Sequence, residues 1–171
     1  MCSSDLQHFG QRIPHEGLFI NAGSTAQYID RVDNIWVEDK PYSPGSFGYF
    51  GGKPSFISLK GKITGTERQQ LYYSYLEDLK SYHFDVPDGE YIIALYIAEP
   101  EFHEKGKRVF DVMVNQEKWL DQFDAFAEKG YCGAIVKEKR FIISGGKGLI
   151  IGFTPVQGKP ILNGIRIRIV N

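Results

Sequence analysis

The sequence lacks a set of cysteines that could cross-link a small domain, and it lacks a segment that could span a membrane. Only two of its 171 residues are cysteine, Cys2 and Cys132, so no disulfide framework is available. No apolar run approaches the roughly 18 to 20 residues of a membrane span, and the polar N-terminal segment lacks the hydrophobic core of a signal peptide. A chain of this length buries about two-thirds of the surface that its unfolded form exposes. We therefore expect one domain that folds without disulfide bonds and makes no contact with a membrane.

An excess of charge of one sign is also missing. Lysine and arginine number 20 and aspartate and glutamate number 21, which gives a net charge of −1 and a pI near 6.4. A phosphate backbone attracts proteins through clustered basic residues. This chain offers no such field, so nucleic acid is not expected as a partner.

Common catalytic and metal-binding motifs are absent from the sequence. There is no GxSxG nucleophile elbow, and no glycine-rich segment has the strand-to-helix context of a phosphate loop. The histidines are far apart, and none has a Cys, Asp or His at metal-ligand spacing. They are His8, His15, His83 and His103.

Acidic residues cluster at two places without defining a site. Asp30, Asp33 and Asp39 lie near one another, but a calcium site built on backbone carbonyls leaves no sequence signature, and we assign no metal. Glu99 and Glu101 share one face of an extended segment, about 7 Å apart by strand rise. With 21 acidic residues such pairs arise by chance, so the pair is weak evidence for glycoside hydrolysis. We predict no cofactor and no independent enzyme activity.

Aromatic residues and glycine are present in surplus. Aromatics make up 14% of the chain, beside 19 glycines and 8 prolines, which is typical of short strands joined by many turns. The extra rings either thicken a sandwich core or form a site that stacks on a ligand. Four rings lie in the glycine-rich segment 42–50, where they either fold back onto a sheet or stand at its rim.

The clearest strands lie between Val86 and Asn115. Pro87-Asp88-Gly89 predicts a hairpin corner, because proline presets φ, aspartate caps its own turn and glycine accepts a positive φ. Tyr91 to Ala98 is apolar on both alternating faces, as in a strand that is covered on both sides or carries a binding surface. A further strand is predicted from Val109 to Val114, with a polar loop before it.

The rest of the chain repeats this pattern of short strands. Ile165 to Val170 alternates isoleucine with arginine, as a half-buried antiparallel strand does. Trp119 to Lys129 has helix-like spacing and is followed by Gly130, which predicts one or two helical turns. Other strands are predicted at 18–23, 71–75, 134–136, 140–143 and 149–153. The pattern predicts an all-β fold, a jelly-roll-like antiparallel β-sandwich with at most one or two short helices.

Several motifs, in order along the chain, resemble those of the malectin domain. The most distinctive is RVFDVMVN at 108–115, which follows the Ala-Glu corner of L-x-I-A-E at 95–99. The others are INAG at 20–23, W-x-x-D at 36–39, FGYFGG at 47–52, ITGT-x(4)-LY at 63–72, Y-x-F-x-V-P-x-G-x-Y at 82–91 and P-x-L-x-G-I-x-I at 160–167. The resemblance covers the chain from about residue 18 to its end. The malectin domain family that it resembles includes the version that forms an accessory module of bacterial glycoside hydrolases of the β-galactosidase type.

The resemblance implies a ligand site at one end of the sandwich. The animal founder of the family is a lectin that binds a glucose disaccharide unit through loop aromatics and an aspartate. The family's tyrosine after the LY motif falls at Glu77, with Tyr75 the nearest ring. The implied ligand-binding residues of this chain are Phe47, Tyr49, Tyr75, Glu101, Phe102 and Gln157. Most of the lectin's contact residues are replaced, so the resemblance implies the location of a site and not its sugar.

Two functions follow as expectations. The first is a non-catalytic carbohydrate-binding module, an accessory domain of a larger glycoside hydrolase, that binds an oligosaccharide or polysaccharide. The alternative is a packing unit without sugar affinity, whose loops are buried against the catalytic domain of the parent glycosidase. In both cases residues 1–16 are interpreted as a linker or leader and residues 17–171 as the domain. The parent is expected to be an extracellular or periplasmic bacterial protein.

Overall fold

Two six-stranded β-sheets face each other in the computed structural model, which describes residues 13, 15–58 and 62–170. Sheet A contains β1 (Leu18–Asn21), β2 (Tyr28–Ile29), β3 (Ile35–Glu38), β6 (Gly89–Ile97), β9 (Ile135–Ile143) and β12 (Gly164–Ile169), in the order β2-β3-β1-β12-β6-β9. Sheet B contains β4 (Phe47–Phe56), β5 (Ser74–Phe84), β7 (Val109–Val114), β8 (Glu117–Phe123), β10 (Leu149–Gln157) and β11 (Ile161–Leu162), in the order β11-β5-β10-β7-β8 with β4 on the free edge of β5. Only β1 and β3 pair in parallel within these sheets. The predicted all-β sandwich is confirmed.

The core between the sheets follows the period-two pattern of the sequence. In β12 the side chains of Ile165 and Ile167 are fully buried, whereas Arg166 between them keeps partial exposure. From Ile93 to Ile97, β6 is buried along both faces, and Tyr96 on its outer side packs edge-on against Trp36 at a centroid distance of 4.9 Å. The apolar pattern of this strand therefore reflects cover on both sides.

The corner at Pro87–Gly89 does not join two strands of one sheet. The prediction of a hairpin is wrong, because β5 belongs to sheet B and β6 to sheet A. Between Ser81 and Phe84 both edges of β5 are occupied, by β4 on one side and β10 on the other. No edge is free for the next strand, so the chain crosses to the facing sheet, with Val86 fully buried at the crossing. The loop at 98–108 crosses back from β6 to β7.

The segment from Trp119 to Lys129 is mostly strand. β8 pairs with β7 as far as Phe123, and only α1 (Ala125–Lys129) is helical. The carboxylate of Asp124 caps α1 by accepting a hydrogen bond from the backbone of Ala127, and Gly130 ends the helix at a φ of 75°. Pairing with β7 thus overrides the helix-like spacing, and the predicted stop at Gly130 is confirmed.

Other differences concern the ends of elements. Residues 71–75 are predicted as a strand, but a 3-10 helix (Gln69–Tyr73) precedes β5, which begins at Ser74. The two strands predicted at 134–136 and 140–143 are one continuous edge strand, β9, whose polar middle faces solvent. The short strands β2, β3 and β11 and the longer β4 are not predicted by the sequence. The predicted linker falls almost entirely outside the described residues.

A buried amide links the two sheets where the chain passes from β11 to β12. Asn163 is fully buried, and its Oδ1 accepts a hydrogen bond from the backbone N–H of Ala98 at 2.9 Å. Its Nδ2 donates to the carbonyls of Tyr72 and Ser74 at 3.2 and 2.9 Å. Because each polar atom of the side chain has a partner, the amide joins the sheets without an unpaired buried group.

The INAG and W-x-x-D motifs form a second link between the sheets. The carboxylate of Asp39 accepts hydrogen bonds from the backbone N–H groups of Gly23 and Lys40 and from the hydroxyl of Tyr82. Burial raises the pKa of Asp39 to about 6, although these hydrogen bonds lower it. Within the described residues, no helix is long and apolar enough to cross a membrane.

Candidate functional site

β5 connects two regions in which aromatic side chains gather. Near its start, Glu77 lies beside Arg108 in the loop at 98–108, and we call this region the Arg108 end. Beyond its last residue, Asp85 meets the glycine-rich segment 42–50, and we call this region the Asp85 end. The eight residue-to-residue steps from Glu77 to Asp85 span about 26 Å in an extended chain. The two regions are therefore separate surfaces.

Glu99 anchors the loop of the Arg108 end. Its side chain is 1% exposed, and Oε1 accepts hydrogen bonds from the backbone N–H groups of Glu101 at 3.0 Å and Phe102 at 3.1 Å. Oε2 accepts a hydrogen bond from Nε of Arg108 at 2.9 Å. A buried carboxylate needs such donors, and here they fix the backbone that carries Phe102.

Arg108 joins the loop to two other segments. Its side chain is 2% exposed, and Nη1 donates to the carbonyl of Lys159 at 2.6 Å. Nη2 donates a longer hydrogen bond, of 3.4 Å, to the carboxylate of Glu101. The carboxylate of Glu77, on β5, lies 4.0 Å from Nη1. The guanidinium is therefore fully engaged by the protein.

Aromatic rings border the Arg108 end. The ring of Phe102 is partly exposed, and its centroid lies 5.0 Å from the guanidinium carbon of Arg108, which supports one face of the ring. The exposed His103 stacks on Tyr131 at a centroid distance of 4.1 Å and an interplanar angle of 29°. Rings held in this way lose little freedom when a ligand packs on them.

Tyr75 lies within electrostatic range of the same cluster. The residue is 8% exposed. Burial raises the pKa of Tyr75, and the carboxylate of Glu77 raises it further, whereas Arg108 lowers it. Glu101 and Glu99 raise it by smaller amounts, so the hydroxyl lies within electrostatic range of all three carboxylates.

The structure brings four of the predicted site residues to the Arg108 end. Glu101 and Phe102 lie on the anchored loop, and Tyr75 lies below it at the start of β5. The backbone of Gln157 pairs with the first residue of β7, directly after Arg108, and its side chain is exposed. These four are therefore neighbours, although they are far apart in the sequence.

Phe47 and Tyr49 lie elsewhere. Phe47 stacks on Phe84 at a centroid distance of 6.2 Å. Tyr49 pairs with Tyr82, which is five residues from Glu77 along β5, or about 16 Å. Both rings pack against the core. The structure does not bring them to the Arg108 end, because β4 holds them against the far half of β5.

Sequence reasoning missed the residues that hold this end together. Glu99 and Arg108 each place one charge in a motif that is otherwise mostly apolar, and that signal could have predicted a buried ion pair. The resemblance gives Glu77 only as the residue that stands at the family's tyrosine position. Nothing in the sequence indicated that Tyr131 would stack on His103.

The carboxylates of Asp30 and Asp39 are already occupied by protein donors. The carboxylate of Asp30 accepts hydrogen bonds from Nε of Arg68 and Nε1 of Trp36, and from the backbone and side chain of Asn34. In the part of the chain that the structure describes, no group of three His, Cys, Asp or Glu side chains is arranged to hold a metal ion. Hydrogen bonding therefore accounts for these carboxylates.

The fold and the Arg108 end define a β-sandwich module with loops gathered at one end. The family model described as the malectin domain matches residues 17–165, so the chain belongs to the malectin domain family.

Three relatives illustrate the settings in which similar chains occur. A kinesin-like protein KIN-14E of Oryza sativa subsp. japonica is 29% identical over 161 residues, which are 88% of this chain and 14% of that protein. Malectin-B of Xenopus laevis is 34% identical over 88 residues, 48% of this chain and 32% of that protein. The crystal structure of a Bacteroides uniformis β-glucuronidase superposes with a TM-score of 0.84 at 28% identity, covering 91% of this chain and 18% of that chain. The chain spans 14%, 32% and 18% of these three proteins, respectively.

Proposed function

We propose that this chain is a non-catalytic carbohydrate-binding module that takes sugar at the Arg108 end. One observation carries the proposal: Tyr75, Glu101, Phe102 and Gln157, which come from three separate parts of the sequence, converge around the buried side chain of Arg108. Membership of the malectin domain family supports the same assignment.

The chemistry of the Arg108 end suits a sugar. Pyranose rings have apolar C–H faces that pack on aromatic rings, and Phe102 and the stacked pair of His103 and Tyr131 provide such rings. Sugar hydroxyls need polar partners at the edges of those rings. The exposed carboxylate of Glu101 and the side chain of Gln157 supply acceptors and a donor there.

We further propose that the module belongs to a larger protein. The β-glucuronidase that it resembles contains the matching domain as 18% of its chain, which supports an accessory role in a glycoside hydrolase. The partners would then be an oligosaccharide or polysaccharide and the catalytic domain of the parent enzyme. Such an enzyme would act in an extracellular or periplasmic setting.

Removal of the ring of Phe102 tests the site. Phe102→Ala should weaken sugar binding by about 1 to 3 kcal/mol through lost stacking and burial, with an unchanged fold. Binding is measured by calorimetry, after a glycan array has screened gluco-, galacto- and manno-configured oligosaccharides. Phe50→Ala is the matched control, because Phe50 is 45% exposed and contacts Tyr42 and His83, outside the Arg108 end.

Two results would count against this site. Equal affinity of Phe102→Ala and the unaltered chain would show that sugar binds elsewhere. Silence of the folded chain across the whole panel would remove the carbohydrate-binding function itself. Circular dichroism of the variant separates either result from loss of the fold.

A groove elsewhere on the molecule favours a packing role as the second candidate. It has a volume of about 740 Å³ and lies between the turn that follows β7 and the turn that precedes β10. Ile142, on its wall, is 80% exposed, and the partly exposed Ile150 adds apolar surface. A neighbouring domain of a parent glycosidase would cover such a surface. A screen without sugar binding would favour this function.

A further inference from the structure

The sheets leave several strand edges unpaired, and β9 differs from the others. β2 and β11 are two residues long, and two register shifts interrupt the pairing of β8 with β7. β4 has a register shift after Phe50 and contains Pro54. Shortness, bulges and proline are among the features by which proteins protect a free edge from other chains. Of the edge strands that the structure describes, β9 alone has none of these three.

The backbone of β9 has polar groups on its open side. The strand, Ile135–Ile143, pairs in continuous register with β6, its one neighbour in the sheet. On β6 the carbonyl of Glu90 accepts a hydrogen bond from Val170, which directly follows β12. Because backbone groups alternate in direction along a strand, those of Ile93 face β9, where they meet its partner Lys139. The residues of β9 that direct N–H and C=O to the open edge are therefore Val136, Glu138, Arg140 and Ile142.

The side chains of these four residues lie together on the outer face of the sheet. Val136 is 52% and Ile142 80% exposed, and Glu138 and Arg140 are each about half exposed. Along the strand the order is apolar, acidic, basic, apolar. When the row is turned end over end, an apolar residue meets an apolar one and the acid meets the base. The exposed row is thus complementary to a second copy of itself.

We propose that β9 binds β9 of a second copy of this chain, antiparallel, with the two Lys139 residues facing each other on a two-fold axis. The two six-stranded sheets A then continue into one another. In this register Val136 lies opposite Ile142 and Glu138 opposite Arg140. These pairs also exchange backbone hydrogen bonds, because their N–H and C=O groups are the ones that face the open edge.

The charges of the outer face continue across the proposed interface. Within one copy Glu138 pairs with Arg166, and Arg140 pairs with Glu90 at 3.1 Å. In the dimer Glu138 lies between Arg166 of its own copy and Arg140 of the second copy, and opposite charges directly across a strand pair are favourable. Arg168 adds a positive charge to this face, but it lies on β12, two strand spacings or about 10 Å from β9. The charge pattern at the edge therefore selects a second copy as the partner.

The lysines of β9 lie on its other face and already have partners. Lysine on a free edge discourages pairing when its charge is exposed and unpaired. Lys137 pairs with Glu128 at 2.9 Å, and Lys139 pairs with Glu117 at 2.7 Å. In the dimer the two Lys139 side chains lie opposite each other, and Glu117 of each copy neutralises this like-charge contact.

Sedimentation equilibrium of the full chain tests for the dimer. Between about 5 and 500 μM, the mean mass should rise from the 19.4 kDa of one chain toward about twice that value, as mass action requires. Arg140→Glu should weaken the self-association by about tenfold or more, because Glu138 then faces a carboxylate on each side of the axis. Arg31→Glu is the matched control, since Arg31 is also exposed and pairs with Glu67 at 3.1 Å, beside β2 at the opposite edge of the sheet. This control should keep the dimer.

A mixture of two variants tests the register. Glu138→Arg alone should also lose the dimer, because two arginines then face each other. When chains with Glu138→Arg are mixed with chains with Arg140→Glu, every cross-strand pair of the outer face again joins opposite charges. The mixture should form a dimer about as tight as that of the unaltered chain. Thermal unfolding of each variant shows that it is folded.

A cysteine on the two-fold axis gives a second measure of the register. The Cα atoms of the two Lys139 residues would be about 4.5 Å apart, which lies within the range of a disulfide. Lys139→Cys should therefore form a covalent dimer on mild oxidation, in a chain that also carries Cys2→Ser; the other cysteine, Cys132, is buried. Lys137→Cys is the control, because the two copies of that position would be about 14 Å apart.

The outcomes decide the proposal. A dimer that both variants lose, that their mixture recovers and that cross-links at position 139 supports it. A folded chain that stays at the mass of one copy overturns it, and a neighbouring domain of a parent protein is then the better partner for Ile142. A dimer that survives in Arg140→Glu also overturns it, since the copies would associate through another surface. None of these measurements uses sugar, so the proposal does not depend on the proposed function.

Discussion

Two buried carboxylates hold aromatic loops at the two ends of β5, and they leave the rings in different places. Asp85 accepts hydrogen bonds from the hydroxyl of Tyr42 and from the backbone N–H of Gly45. Glu99 accepts hydrogen bonds from two backbone N–H groups, one of them that of Phe102, and from the guanidinium of Arg108. Asp85 thus binds the hydroxyl of the Tyr42 ring itself, whereas Glu99 binds only the backbone that carries the ring of Phe102.

The consequence at the Asp85 end is a loop that closes onto its sheet. Tyr42 packs on Phe50 and His83 at centroid distances of 5.1 and 5.2 Å. The approach is so close that a Cβ at Gly48, where φ is 153°, would lie 2.4 Å from the backbone nitrogen of Tyr42. Phe47 packs into the core beneath. Gly48 therefore allows the backbone of β4 to pack closely against the backbone at Tyr42.

The Arg108 end shows the opposite arrangement. The turn is fixed through its backbone, so the ring of Phe102 rests on a guanidinium and stays partly exposed. The point of attachment therefore decides whether a loop presents its rings to solvent. The number of aromatic residues in a loop does not.

The largest expected effect comes from breaking the attachment at the Arg108 end. Arg108→Met should lower the free energy of unfolding by about 3 to 5 kcal/mol, because Glu99 would remain buried without its cation. Sugar binding should be lost as well, since the backbone that carries Phe102 would be released. Urea unfolding and calorimetry measure the two effects.

A neighbour in sequence serves as the control for that variant. Lys107→Met removes an exposed charge paired with Glu104 at 3.7 Å and should change stability by no more than about 0.5 kcal/mol. In the double variant Glu99→Gln with Arg108→Met, the loss should be smaller than the sum of the single losses, because neither group is left alone. Additive losses would show that the two side chains do not act as a pair.

A second prediction concerns the pH dependence of the link through Asp39. Its pKa is 3.8 in an ordinary setting and about 6 in the fold, because burial disfavours the charged form. Between these values the folded state binds more protons than the unfolded state, so stability falls as pH rises from about 4 to 6. The shift corresponds to about 3 kcal/mol of stability that is present below pH 4 and lost above pH 6.

The variant Asp39→Asn isolates that titration. The pKa of Asp30 shifts in the opposite direction. Burial raises it, but hydrogen bonds from Arg68, Asn34 and Trp36 lower it below its ordinary value. Because Asp30 titrates in both proteins, it cancels in the difference between them. The stability of the unaltered chain minus that of the variant should decline across pH 4 to 6. A flat difference would mean that Asp39 titrates normally in the fold.

The comparison of the two ends also shows how far the sequence can be interpreted. Alternation of apolar and polar residues predicts the strands and the all-β class, and β12 is a clear case. Which strands share a sheet is not local information. The corner at Pro87–Gly89 has good hairpin chemistry, but β5 has no free edge there, and only the whole topology reveals that.

The same limit applies to the candidate site. The resemblance implies six site residues at one end of the sandwich. The structure has Tyr75, Glu101, Phe102 and Gln157 as neighbours there, whereas Phe47 and Tyr49 lie at the other end of β5. A ring in a glycine-rich loop can face either way, so Phe47 could not be assigned to core or site without its partners. Whether the four neighbours bind sugar stays a prediction.

The smallest expected effect tests the two ends against each other directly. Phe47→Ala should cost about 1 to 2 kcal/mol of stability, less than a fully buried phenylalanine, because the ring is partly exposed while it stacks on Phe84. Sugar affinity should not change, whereas Phe102→Ala should show the reverse pattern of unchanged stability and weakened binding. Thermal unfolding gives the stability of each variant, and sugar titration gives its affinity. If Phe47→Ala also lowered affinity by more than about threefold, the ligand would extend to the Asp85 end, and the division between presented and packed rings would be wrong.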